Sequence, residues 1–312
     1  MNAKHAITGT KWLFGLAMAL LCAQAPAQAA VLYGAANGLT AGFGSSTLYA
    51  IDTTDGNATP IGPIGFDNVT GLAFLPDGRL VGTANGDAGD TQISLLIEID
   101  PSTGQGSLIG QLDRRDTGNC GRMPDITWDA TRSTLFGYSD NCGENAEGLY
   151  VINPDVPSAT LVGPSGYSGG GNALAAQPGT GVLYGEPFDS GALITLDPAS
   201  GAGTPVPDSV GYSAFNAFDF DPVSGDLYAS FKDWNAIEGD EGLSYLVTVD
   251  LGTGEYTMVG PTVTGLDALA FGQAAKPVSV PVDSNLMLVL LAAGLLLTVG
   301  WFMRRRGSKV SA

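Results

Sequence analysis

The stretch LIEIDPSTGQGSLIG at residues 96–110 decides the reading of the fold, because its pattern occurs at four other places in the chain. The other copies are LYAIDTTDGNATPIG at 48–62, LYVINPDVPSATLVG at 149–163, LITLDPASGAGTPVP at 193–207 and LVTVDLGTGEYTMVG at 246–260. Position 1 is always Leu, and position 5 is Asp52, Asp100, Asn153, Asp197 or Asp250. Position 9 is Gly56, Gly104, Gly201 or Gly254, with Pro157 in the third copy. Alternating apolar residues before position 5 predict a strand with one buried face. The Asx side chain then bonds nearby backbone and Gly accepts positive φ, which makes a turn, and a second apolar run returns antiparallel. Each copy is a predicted hairpin. The five Asx residues are expected to serve these turns, with a recurring calcium site as the rival reading.

A second phrase precedes four of the hairpins: GLAFLPDGRLVG from Gly71, DITWDATRSTLFG from Asp125, ALAAQPGTGVLYG from Ala173 and AFDFDPVSGDLYA from Ala217. It too reads as strand, tight turn, strand. Four strands in each repeat of roughly 40–50 residues describe the blade of a β-propeller. The segment LDALAF at 266–271 is a first strand with no second after it, and Val31-Leu32-Tyr33-Gly34 is a second strand with no first before it. Pairing the two would complete a blade and close the ring without a free edge. The expected fold is therefore all-β, a propeller of five four-stranded blades over 31–272, closed by its N- and C-terminal strands. The body resembles the quinoprotein-like and YVTN-like repeat propellers. That resemblance implies the architecture alone, since no motif for their cofactor is present.

Residues 1–30 carry Lys4, His5 and Lys11, an apolar run from Trp12 to Leu21, and the small-residue stretch Ala27-Gln28-Ala29-Ala30. They read as a helical secretory signal peptide cleaved after Ala29 or Ala30. A retained anchor and a lipoprotein signal at Cys22 are the rival readings. At the other end, a Pro-containing linker at 273–285 leads to an uncharged apolar run, Leu286–Met303, long enough to form a transmembrane helix. Arg304, Arg305 and Arg306 follow and open a basic tail at 304–312, which places this end in the cytoplasm. A short motif, one span and a terminal arginine cluster resemble the PEP-CTERM class of sorting signals. Val280-Pro281-Val282-Asp283-Ser284 is most similar to the subtype that begins Ile-Pro-Thr-Leu. Val280 stands for Ile, Val282-Asp283 for Thr-Leu, and no Trp follows before the span. The resemblance implies export by a Gram-negative bacterium and an inner-membrane anchor with the propeller in the periplasm. It also implies processing by an exosortase-like enzyme and release to the cell surface or matrix. A plain single-span anchor is the rival reading.

Composition limits the chemistry. The one histidine, His5, lies in the signal segment, so the mature body has no Ser-His-Asp triad, Cys-His dyad or His-ligated metal. Neither Asp87–Asp90 nor Asp233–Asp240 has the spacing of an EF-hand loop. Residues 31–280 hold 30 acidic and seven basic side chains, a net charge of −23, which excludes nucleic acid as a partner. Aligned first strands place Ala73, Thr127, Ala175, Asp219 and Ala270 at one channel-facing position, and Gly71, Asp125, Ala173, Ala217 and Ala268 at another. Asn172, Asn216 and Asp267 precede the second set and would rim one mouth. Asp219, Asn172, Asn216, Asp267 and Asp125 are the candidate ligand residues, for sugar hydroxyls or a cation such as Ca2+. The rival reading is that they cap turns and satisfy backbone groups near the axis. No other cofactor is expected. The function that follows is a non-catalytic exported propeller that binds matrix polysaccharide, cations or a protein. The alternative is a glycoside hydrolase or related enzyme using two carboxylates about 5–10 Å apart.

Cys120 and Cys142 remain after removal of the signal, and an even pair in an exported chain is expected to form a disulfide. The bridge would close a loop of about 20 residues and contribute about 3 kcal/mol. Cys120→Ser should therefore lower the melting temperature under oxidising conditions and leave it unchanged under reducing ones. Equal melting in both conditions, with or without the substitution, would remove the bridge.

Overall fold

The computed structural model describes residues 30–37, 44–88, 91–112, 122–140, 147–188, 190–207, 209, 215–232 and 243–272. The signal segment apart from Ala30, Cys120 and Cys142, the acidic loop 233–240, the linker with Val280–Ser284, the expected span and Arg304–Arg306 lie outside these residues.

Among the described residues, twenty strands form five four-stranded antiparallel sheets, all from consecutive strands except one. The chain opens with β1 (Leu32–Ala36), β2 (Ser45–Ile51) and β3 (Ala58–Asp67). Blade 2 is β4 (Val69–Phe74), β5 (Leu80–Ala88), β6 (Thr91–Ile99) and β7 (Gly106–Gln111). Blade 3 is β8 (Asp125–Asp129), β9 (Thr134–Ser139), β10 (Gly148–Asn153) and β11 (Ser158–Gly163). Blade 4 is β12 (Gly171–Ala176), β13 (Leu183–Pro187), β14 (Ile194–Leu196) and β15 (Gly203–Pro205). Blade 5 is β16 (Phe215–Phe220), β17 (Leu227–Lys232), β18 (Ser244–Val249) and β19 (Tyr256–Pro261). The last strand, β20 (Leu266–Phe271), pairs antiparallel with β1 from Leu32↔Phe271 to Ala36↔Leu266. Blade 1 thus has the order β20-β1-β2-β3, and the two incomplete ends complete each other.

The hairpin turns form as the repeated phrase predicts. The Asp52 Oδ1 accepts the Thr54 amide at 2.8 Å, and the equivalents are Asp100 with Ser102, Asn153 with Asp155, Asp197 with Ala199 and Asp250 with Gly252. The amide of Gly56 returns to the Asp52 carbonyl at 2.8 Å with φ 79°, the left-handed backbone that favours glycine. Accepted hydrogen bonds hold the Asp52, Asp100, Asp197 and Asp250 carboxyls below the usual carboxylate range. The first bond in the case of Asp52 and Asp100 comes from a hydroxyl side chain, and for Asp197 and Asp250 from backbone.

Burial departs from the one-faced strands read from the alternation. All six residues of β17, LYASFK, are buried, and so are five of six in β9. The reason is the architecture: each sheet lies between two others, so both of its faces are covered. Five hydrophobic clusters occupy the five interfaces between adjacent blades. Leu72, Leu80 and Ile97 of blade 2 meet Ala35, Leu48 and Ile64 of blade 1, and Phe218, Leu227 and Val247 of blade 5 meet Ala173 and Ala175 of blade 4. Exposure is concentrated in the outermost strands, as in the half-exposed pattern of β7.

Glycine at position 15 of the hairpin phrase stitches neighbouring blades together. A Cβ on Gly163 would run into the carbonyl oxygen of Ser200, in the hairpin turn of the next blade, and a Cβ on Gly62 or Gly260 would meet Thr103 or Asp55 in the same way. In each contact the obstacle is backbone, which cannot turn aside. Gly163→Ala should accordingly cost about 2 kcal/mol, the middle of the range for overpacking, seen as a melting temperature lower by roughly 5 °C. An unchanged melting temperature would show that the two blades can part at this contact without cost.

Candidate functional site

The first strand of each blade pairs with the second on one side, and its other edge faces the central channel. Contacts run from β4 to β8, β12, β16, β20 and back to β4, so these five edges surround the axis. Their amides would be unsatisfied without help. Asp125 Oδ2 accepts the amides of Leu174 at 2.9 Å and Phe218 at 3.2 Å, and its Oδ1 accepts that of Ile126 at 2.9 Å. Thr127 Oγ1 accepts the Ala176 amide at 3.0 Å. Asp219, at the equivalent position two blades on, accepts Phe271 on Oδ2 at 2.6 Å and Phe220 on Oδ1 at 2.9 Å. Three side chains thereby tie together the edges of four first strands.

Burial sets the electrostatics of these groups. It pushes the fully buried Asp125 carboxyl well up, against the pull of its three amides, and the Asp219 charge adds to the rise. The same effect carries Asp219 to about 7, opposed by the Phe271 and Phe220 amides. Asp267 reaches about 6, again through burial, while Lys232 and Arg122 draw it down. Burial lowers Lys232, and Asp267 raises it.

The five residues singled out in the sequence divide between two levels of the channel. Asp267 stands at the start of β20 with Lys232 and Arg122 near enough to act on it, and Arg122 also pairs with Asp140 at 2.8 Å. Asn172 and Asn216 are half-buried at the starts of β12 and β16, and the Asn172 amide group donates to the Phe215 carbonyl. Asp219 lies toward the opposite end, one residue before β16 finishes, and Asp125 is within its electrostatic reach. Sequence reasoning passed over Lys232 and Arg122. They are two of only seven bases in the body, and that scarcity was the available signal. Among the described residues, no three Asp, Glu, Cys or His side chains group as metal ligands.

Where the first strands end, a cavity of about 340 Å³ opens on the axis. All five first strands contribute to it, together with the turns after β8, β12 and β16. Phe74, Trp128, Phe220 and Phe271 supply rings, Val223 and Pro178 supply part of the rim, and among the described residues Asp219 is the one ionisable side chain in the lining. Phe220 and Phe271 are nearly wholly buried, whereas Phe74 and Trp128 keep exposed surface. The cavity can therefore hold a small ligand with an apolar face and a group that donates to a carboxylate.

No protein-family model and no curated protein sequence matches the chain. Among solved structures, the chain is similar to one in a nidogen/laminin complex, with a TM-score of 0.50 and 13% identity over 78% of this chain and 99% of the other. It is also similar to a protein of unknown function from Bacteroides thetaiotaomicron VPI-5482, with a TM-score of 0.47 and 17% identity over 81% and 63% of the two chains. A third likeness is to an auxiliary nutrient binding protein from Bacteroides ovatus ATCC 8483, with a TM-score of 0.41 and 14% identity over 80% of this chain. This chain spans about half the length of that protein, at 51%. At such identities the likeness is one of fold.

The raised carboxyls fix the direction of a pH dependence. A carboxyl whose native pKa lies above its unfolded value contributes stability that is complete below the ordinary value of 3.8. That contribution is lost as pH rises through about 6 for Asp267 and about 7 for Asp219. Thermal stability is expected to be greater near about pH 4.5 than near about pH 7.5, and Asp219→Asn should flatten the upper part of that slope. A melting temperature that climbs steadily from the acid to the neutral end would contradict the arrangement.

Proposed function

We propose that the protein is a non-catalytic binding module of the cell envelope, carried to the outside by its signal peptide and held or sorted by its C-terminal span. Its ligand is an extracellular polysaccharide. The observation that carries the reading is that the axial cavity has rings on its walls and one carboxyl in its lining. Stacking of a sugar's apolar face on an aromatic ring, with a hydroxyl donating to a carboxylate, fits that lining. A hydrolase of the usual kind needs a second carboxyl in the same pocket. Asp125, which feels the Asp219 charge, is fully buried and accepts three backbone amides. The sorting tail supports the location, since the PEP-CTERM resemblance implies a surface or matrix destination.

One observation favours the enzymatic alternative. Asp219 is raised to about 7 in an open cavity, as a general acid would be. A single assay separates the two. Full-length protein is incubated with the extracellular polysaccharide of its source, and co-sedimentation and new reducing ends are followed together. Retention without new ends is the expected result. New ends that vanish with Asp219→Asn would make the protein a hydrolase, and the absence of both would turn the search to a protein partner.

A further inference from the structure

We infer that the axial cavity takes a sugar unit bearing a free, protonated amine, with its ring against Trp128 and Phe74 and its ammonium on the Asp219 carboxyl. The inference rests on the polysaccharide reading and narrows it to one class of unit. Three observations carry it. The cavity, at about 340 Å³, lies in the lower part of the range for small-ligand pockets. All five first strands converge on it, so it is a feature of the whole ring and not of one loop. Among the described residues its lining holds one ionisable group, which is acidic, beside two partly exposed aromatic rings. Carboxylate and ring face both favour a cation over a neutral hydroxyl.

Charge on the larger scale points the same way. With 30 acids and seven bases between 31 and 280, the body repels an anionic polysaccharide and raises the local concentration of a cationic one. A neutral glycan gains nothing from that field. The local groups agree: the charge that acts on Asp219 is that of Asp221, just beyond its own strand, and it is negative. Each Asp219 oxygen already accepts one amide, and an ionised carboxylate has further acceptor sites on both. Burial lifts this carboxyl to about 7. An arriving ammonium would return it to the ionised form, so binding releases a proton on the acid side of neutrality.

The test is calorimetric titration of the full-length protein, in mild detergent, with the disaccharide of glucosamine and with its fully N-acetylated counterpart. The amine form should bind at least about tenfold more tightly near pH 7.5, which is one factor of ten in the dissociation constant. The gap should close near about pH 5, where Asp219 is protonated. Asp219→Asn should abolish the preference and leave the weaker binding of the N-acetylated form. Because Asp219 also holds two amides, a second variant guards against a folding defect. Val223→Arg puts a cation on the rim at a residue 65% exposed, and it should remove amine binding at an unchanged melting temperature. Equal binding of the two disaccharides would overturn the amine assignment and leave the polysaccharide reading standing. A preference that survives in both variants would place the amine elsewhere on the acidic surface and overturn the assignment to this cavity. If neither disaccharide binds while the source polysaccharide still co-sediments, the inference alone falls; if that too fails, the wider reading falls with it.

Discussion

The constraint on which the rest of the structure depends is the open inner edge of every blade. A sheet that ends at a channel leaves a row of amides without strand partners, and a buried unsatisfied amide costs about 1–3 kcal/mol. The chain meets this with side chains instead of a further strand. Asp125 alone receives amides from its own strand, from β12 and from β16, so it couples three consecutive blades. Thr127 and Asp219 continue the arrangement to Ala176 and Phe271. At the position that Thr127 and Asp219 share, the residues that carry no such duty are Ala73, Ala175 and Ala270, all buried. Ring geometry thus dictates both the small residues and the acids on the axis. It also separates the acids by role, since Asp125 is sealed while Asp219 reaches the cavity.

Much of the fold could be read from the sequence because its determinants are local. An Asp followed two residues on by the amide it accepts, and four residues on by a glycine at positive φ, specifies a hairpin without reference to anything distant. All five copies hold that Asx bond, although the third has Pro157 where the others have glycine. The closure of the ring was legible for a different reason: each end of the body lacked the strand that the other supplied. What the alternation could not show was that both faces of a strand such as β17 are covered, because its polar residues Ser230 and Lys232 mark a surface only when no blade lies over them.

The site was legible in part. Alignment of the first strands brought out Asp125 and Asp219, the acids that stand where the repeat has small residues. It could not show which mouth of the channel would open into a cavity. That depends on how far the turns at Pro178 and Val223 project and on where the Trp128 ring comes to rest, and these are properties of packing between blades. Lys232 and Arg122 were missed because each belongs to a different blade and neither sits within a repeated phrase. Their common influence on Asp267 exists only once the ring is closed.

The pairing of Leu32 with Phe271 carries a kinetic consequence. The two residues that complete blade 1 come from opposite ends of the described body, so nearly the whole of it must be made before that contact can form. Until β20 arrives, β1 presents an unpaired edge and the apolar residues beneath it, a state in which chains tend to find partners in other molecules. The search of the last strand for the first is a loop closure of high contact order, the kind of step that slows folding. A nascent chain with four finished blades would still be waiting for the fifth.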